Sequence, residues 1–165
     1  MKRNFFNEVE ILSRKQITQL QLKRLKDQID YLSYNSPYYR KIFKGQGIAP
    51  DIIRSLHDLN RLPFIHKHMI GKSQAQHPPF GKFLCVPESK IVRFFRTSGT
   101  TLKPRNFAYT FHDWWNISVE VMARITYSLG ARDRDRVFIA FPYITFVSLW
   151  SSHYACEKIG CMVIP

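Results

Sequence analysis

The chain has 165 residues, 45% of them hydrophobic, which excludes an intrinsically disordered polymer and suffices for a domain with a true core. With 25 Lys and Arg against 12 Asp and Glu, the formal charge is +13 and points to an anionic partner. The excess is spread (10 basic and 4 acidic side chains in residues 1–50, 6 and 3 in 51–90, 9 and 5 in 91–165), so a solvated basic surface is the reading rather than a nucleic-acid footprint.

Ser13 and Gln16 have capping-box spacing, and the segment that follows, to Asn35, reads as a helix with Ile17, Leu20, Leu25, Ile29 and Leu32 on one face. Ser36-Pro37 opens a second, short helix, which Gly45 and Gly47 end. "DIIRSLHDLNRLPF" reads as a short helix broken before Pro63, and "HKHMIGKSQAQHPPFGK" as a loop-rich connector. Residues 1–90 are therefore expected to form a helical N-terminal region with its connector.

From Ile91 the pattern changes. Ile91 to Arg96 and Asn106 to Thr110 read as strands flanking a polar loop. Thr110 and Asp113 suggest another capping box, before a helix whose core face would be Trp114, Ile117, Val121, Met122, Ile125 and Leu129, stopped by Gly130. "RVFIAF" reads as a buried strand, Phe146 to Ile159 as a helix apolar nearly all round and hence buried, and "CMVIP" as a last strand. The expected class is α/β: a helical N-terminal region, then, over 91–165, part of a mixed sheet with βαβ units.

Cys85, Cys156 and Cys161 have neither metal nor disulfide spacing; they suit a reducing compartment, Cys156 and Cys161 as small buried hydrophobes. The longest apolar run, Val137 to Trp150, is too short to span a bilayer and contains Pro142. No signal peptide is read, so a soluble cytoplasmic protein with no membrane partner is expected. His66 and His68 have no nearby acid or cysteine to complete a metal site and read as a solvated pair. His153 reads as a hydrogen-bonded core histidine, and Arg132 to Arg136 as a solvated turn.

The loop "RTSGTTLKPR", Arg96 to Arg105, concentrates hydroxyls, a glycine and basic side chains. Backbone N–H groups and hydroxyls can cradle phosphate oxygens while a lysine adds mobile positive charge. Pro104 stands where a P-loop would start its helix, and the second Gly-Lys is missing, so a phosphate cradle and a plain turn are both open from chemistry alone.

"TSGTTLKP" resembles the phosphate-binding signature of the adenylate-forming superfamily, [ST]-S-G-[ST]-T-G-x-P. "LSRKQITQLQLKRLKDQIDYLSYNSPYYRKIF", "IRSLHDLNRLPFIHK" and "HYACEKIGCMVIP" are similar to the phenylacetate–CoA ligase-like branch, and the resemblance runs from about Leu12 to Pro165. It implies a carboxylate that attacks ATP, release of pyrophosphate, and transfer of the acyl group to coenzyme A with Mg²⁺ assistance. Thr97, Ser98, Gly99, Thr100, Thr101 and Lys103 would hold the β- and γ-phosphates, and Tyr143 and Phe146 would line the acyl pocket, although aromatics here read first as the end of a buried strand. It assigns no catalytic residue and no metal ligand to this chain. Leu102 departs from the family's glycine, and the chain is much shorter than family members. The resemblance thus implies the N-terminal part of a ligase, inactive alone, that a complementing fragment or self-association would cover. A truncated or split product acting as an interaction module is the alternative, with a basic nucleic-acid-binding domain behind it.

Overall fold

Helix α1 (Arg14–Asn35) begins where Ser13 and Gln16 satisfy each other's backbone: the Ser13 hydroxyl accepts from Gln16 N–H at 3.3 Å and Gln16 Oε1 from Ser13 N–H at 2.9 Å. The computed structural model describes residues 5–99 and 103–165. It divides them into two units: residues 12–88, and residues 5–11 together with 89–165.

In the first unit, α1 ends at Ser36, which is fully buried because it also caps the next helix, α2 (Pro37–Gln46), accepting from Tyr39 N–H at 3.3 Å. Pro37 takes the first helical position, where its missing N–H costs nothing. Gly47, at φ +63°, closes the helix in a left-handed cap; Gly45 lies inside it, so one of the two expected terminators acts. Ile29 from α1 and Phe43 from α2 form a core with Ile48 and Ile53. The helix expected at 51–62 is two 3₁₀ turns, Pro50–Ile52 and Leu56–Arg61. Asp58 draws the N–H groups of Arg54 and Ser55, each at 2.9 Å, into the cap of the second.

The expected connector contains a helix, α3 (Lys67–Gln76). Its apolar pattern is weak and Gly71 lowers its propensity, but tertiary contact compensates. Ser73 is buried, its hydroxyl accepts from Lys82 N–H at 2.8 Å, and Gly81, at φ +74°, passes so close that a Cβ there would lie 2.7 Å from Ser73 Oγ.

In the second unit, β1 (Ile91–Arg96) and β2 (Asn106–Thr110) match the expected strands and pair antiparallel, with Phe95 opposite Phe107 and Arg96 opposite Asn106. Thr110 and Asp113 form their expected cap: Thr110 N–H and Oγ1 both donate to Asp113 Oδ2, and Asp113 N–H donates to Thr110 Oγ1. A π-helical segment follows, Asp113–Ser118, and runs into α4 (Val119–Ser128).

That π segment overturns the expected core face. Wider turns rotate the following residues, so Trp114, Val119 and Ala123 are buried, whereas Ile117, Val121, Ile125 and Leu129 stand 51%, 49%, 46% and 82% exposed. Strand β3 (Arg136–Phe138), helix α5 (Val147–Ile159) and strand β4 (Met162–Ile164) make one parallel βαβ unit, Val137 pairing with Val163. Among the described residues the strands thus form two separate pairs, one antiparallel and one parallel. β3 is not buried, Phe138 being 68% exposed, because a two-stranded pair has no neighbouring strand to cover it. Helix α5 buries Ser151, Ala155 and Cys156 rather than its whole circumference.

Candidate functional site

The phosphate-loop candidates begin directly after β1. Thr97 N–H donates to the Arg105 carbonyl at 3.0 Å, and Arg105 N–H donates back to Thr97 Oγ1 at 2.9 Å. These two bonds extend the hairpin and bring both ends of the loop together. Thr97 therefore spends one oxygen lone pair on the loop's own closure. Arg105 is buried, its guanidinium donating to the carbonyls of Lys103 and Pro104. The sequence marked Arg105 only as the end of the loop; its burial is a tertiary feature with no local signal. Ser98 and Lys103 are exposed; Thr100, Thr101 and Leu102 lie outside the described residues.

Gly99 has φ +73°, and a Cβ there would lie 2.6 Å from the Pro104 ring. Both facts demand glycine: the left-handed backbone is strained for other residues, and the proline leaves no room. Gly99→Ala is expected to cost about 1–3 kcal/mol, read as a lower denaturation midpoint. A wild-type midpoint would show that the loop relaxes at no cost.

Beside the loop is a cavity of about 390 Å³ lined by Arg96, Thr97 and Ser98 at one end and by Phe95, Phe107, Tyr109, Phe146 and Val147. The strand period of two puts Phe95 and Thr97 on the same side of β1, and Phe107 and Tyr109 on the same side of β2. That alternation was legible; its facing the first turn of α5 was not. Burial, and then the Asp113 carboxylate, push the Tyr109 phenol above its ordinary pKa, so it remains a protonated donor at neutral pH. Phe146, the cap residue of α5, makes no side-chain capping bond, so the helix presents backbone N–H groups at its start.

The structure thus brings Phe146 into one cavity with Thr97 and Ser98. Tyr143 does not line it. Its hydroxyl is 2.8 Å from His153 Nδ1 and its ring 4.8 Å from Trp150. His153, half-buried, also meets Glu157 at 3.1 Å, in keeping with a hydrogen-bonded core histidine. The His66 and His68 rings stack 5.6 Å apart. Among the described residues no group of three or more His, Cys, Asp or Glu could hold a metal, and no helix is long and apolar enough to cross a membrane. Cys156 and Cys161 are buried free thiols whose pKa values burial pushes up, as expected of inert small hydrophobes.

No family model matches the chain. The phenylacetate–coenzyme A ligase of Aromatoleum evansii is 38% identical over 159 residues, 95% of this chain and 34% of the relative. That of Pseudomonas putida is 34% identical over 163 residues, 99% of this chain and 36% of the relative. Among solved structures, 2-hydroxyisobutyryl-CoA ligase in the postadenylation state with 2-HIB-AMP superposes with a TM-score of 0.84 at 30% identity, over 93% of this chain and 32% of that one. The same ligase superposes equally well, at 0.84, in complex with 2-HIB-AMP and CoA in the thioesterification state. The chain spans about a third of the length of these relatives.

Proposed function

This chain is homologous over nearly its whole length to phenylacetate–CoA ligases and has the fold of part of an adenylate-forming acyl–CoA ligase; from that premise we propose that it supplies the phosphate-binding loop and part of the acyl site for ATP-dependent thioester formation. In the proposed reaction a substrate carboxylate oxygen attacks the α-phosphorus of ATP and the bond to the β-phosphate oxygen breaks, releasing pyrophosphate. The coenzyme A thiol then attacks the acyl-adenylate carbonyl, loses its proton, and expels AMP. Thr97, Ser98, Gly99, Thr100, Thr101 and Lys103 are assigned to the β- and γ-phosphates, where hydroxyls, N–H groups and the ammonium stabilise charge that grows as pyrophosphate leaves. The described residues offer no acidic cluster for Mg²⁺, so a magnesium ion would come to this chain bound to the nucleotide phosphates.

The observation that carries this reading is the single cavity shared by Thr97, Ser98 and Phe146. Its aromatic walls suit the apolar body of a carboxylic acid, aryl acids included, and the loop end suits the phosphates. Tyr143, outside that cavity, is assigned to the rim of the acyl site. The rest of the ligase fold, on the same or a second polypeptide, is the proposed partner. Apolar side chains left exposed on β3, on β4 and at the C-terminal cap of α4 support this: Phe138 is 68%, Met162 57% and Leu129 82% exposed.

Calorimetric titration with ATP–Mg²⁺ is expected to give weak binding, about millimolar or ~4 kcal/mol, because only the phosphate side of the nucleotide site is offered. Lys103→Ala should abolish it. Co-expression with the unmatched two thirds of an aligned relative should convert weak binding into adenylation activity, measured as pyrophosphate release. Binding that Lys103→Ala leaves untouched would refute the loop assignment.

A further inference from the structure

The segment between β3 and α5 is fastened at three points. Arg96 N–H donates to the Thr145 carbonyl at 3.3 Å, Trp150 Nε1 donates to the Ile144 carbonyl at 2.9 Å, and the Tyr143 hydroxyl meets His153 Nδ1 at 2.8 Å. Between these anchors Ile144 is held at φ +35°, in the left-handed region that a β-branched residue avoids. A backbone strained in this way persists only while its surroundings over-determine it. The three anchors are what over-determine it here. Two of them, Trp150 and His153, are neighbours on one face of α5, three residues apart.

His153 is itself held in place. Its Nε2 lies 3.1 Å from Glu157 Oε1, one turn further along α5. A carboxylate can only accept, so Nε2 carries a ring proton, and in the tautomer with that single proton Nδ1 is the acceptor. Tyr143 then donates its hydroxyl proton to Nδ1. Donation runs in one direction, from Tyr143 through His153 to Glu157. Each partner fixes the orientation of the next.

We infer that His153 is a positioning residue for the cavity: through the Tyr143 hydroxyl it holds the strained segment 141–146, and so sets where Phe146 and the first turn of α5 meet Thr97 and Ser98. It touches no reacting group. The consequence for substrate binding rests on the acyl-site reading given above; the ordering of the segment does not.

Hydrogen exchange of the 165-residue chain, read by mass spectrometry over residues 141–146, tests this with three variants. His153→Phe keeps a ring but removes the acceptor. Tyr143→Phe removes the donor. His153→Asn places an amide oxygen near the position of Nδ1 and should rescue the bond. The segment is expected to exchange at least about tenfold faster in His153→Phe and Tyr143→Phe, with His153→Asn close to wild type. Unchanged exchange in the two phenylalanine variants overturns the inference. So does equally fast exchange in all three, which would mean that packing rather than the hydrogen bond orders the segment. Phenylacetate binding, followed on the same proteins by ligand-observed NMR, should weaken severalfold in the phenylalanine variants and recover in His153→Asn. A mobile segment with unchanged phenylacetate affinity overturns the positioning role. Absence of phenylacetate binding by the wild type would instead refute the acyl-site reading, and the exchange rates would still decide whether His153 orders the segment.

Discussion

Trp114→Ala is expected to remove about 3–5 kcal/mol of stability and, with it, the cavity beside the 96–105 loop. Trp114 is 3% exposed, at the start of the π-helical segment. Its ring lies 5.2 Å from Phe95, 6.0 Å from Tyr109 and 5.7 Å from Tyr154, the last two edge-on. The Arg93 guanidinium sits 5.8 Å from the same ring and also donates to the Tyr154 hydroxyl at 2.8 Å. Alanine would leave a void that a hairpin and two helices cannot all close, because interiors relax only in part around a lost side chain. Two of the residues that rest on Trp114, Phe95 and Tyr109, are cavity walls, so the loss of packing should reach the site. Urea denaturation followed by near-ultraviolet circular dichroism measures the first effect, and ATP–Mg²⁺ titration the second. Trp114→Phe, which keeps an aromatic ring, should cost less than half as much. A Trp114→Ala protein with a wild-type midpoint would mean that this cluster contributes little to stability.

Trp114 also shows where sequence reading stops. Its burial was legible, because it opens an amphipathic helix. The continuation of that face along Ile117, Val121, Ile125 and Leu129 assumed a uniform 3.6-residue period, and the π-helical turns break the period just after Trp114. Nothing local in "HDWWNISV" announces those turns. Elements with strong local chemistry fared better. The Ser13–Gln16 box, Pro37 and Gly47 each fix a backbone state on their own, and the helices they bound match the expected limits. Helix α3 was read as loop because its support, the Ser73–Lys82 hydrogen bond and the close approach of Gly81, comes from residues distant along the chain.

The site follows the same rule. The demand for glycine inside the 96–105 loop was legible, and the left-handed backbone of Gly99 agrees with it; phosphate binding by that loop is the proposal made above. The cavity that joins it to Phe146 needs α5 to start beside β1 and β2, which is a tertiary fact. Tyr143, three residues from Phe146 in sequence, faces His153 instead because the strained Ile144 turns the chain between them.

The second large effect is expected at Glu120, an acid of the second unit with several partners. Its Oε1 accepts from Asn7 Nδ2 at 2.7 Å and from Arg124 Nε and Nη2, each at 3.0 Å, while Oε2 pairs with Lys158 Nζ at 2.9 Å. Arg124 reaches on to Glu10 at 3.8 Å, and Lys158 donates to the Trp115 carbonyl at 3.1 Å. One carboxylate thus ties residues 5–11, α4 and α5 together. Its side chain is 13% exposed, and those of Lys158 and Arg124 are 20% and 29%. Glu120→Ala would leave two partly buried cations without this partner, at a cost of about 2–4 kcal/mol near neutral pH. Burial pushes the Glu120 pKa up, but hydrogen bonds from Lys158, Arg124 and Asn7, with the Lys158 charge, outweigh it and hold the carboxyl below its ordinary range. The folded pKa is therefore lower than the unfolded one, about 4.3. Stability from Glu120 is fully present above that unfolded value and is lost as pH falls through the folded pKa. Wild type should lose more stability than Glu120→Ala on acidification from about pH 6 to about pH 3, so the gap between the two proteins narrows. Asp58, also held low by the N–H groups of Ser55 and Arg54, titrates in both and cancels from the difference. Urea midpoints measured across that range decide the matter: a gap that stays constant with pH would show that the Glu120 charge, as distinct from its packing, does not hold these segments together.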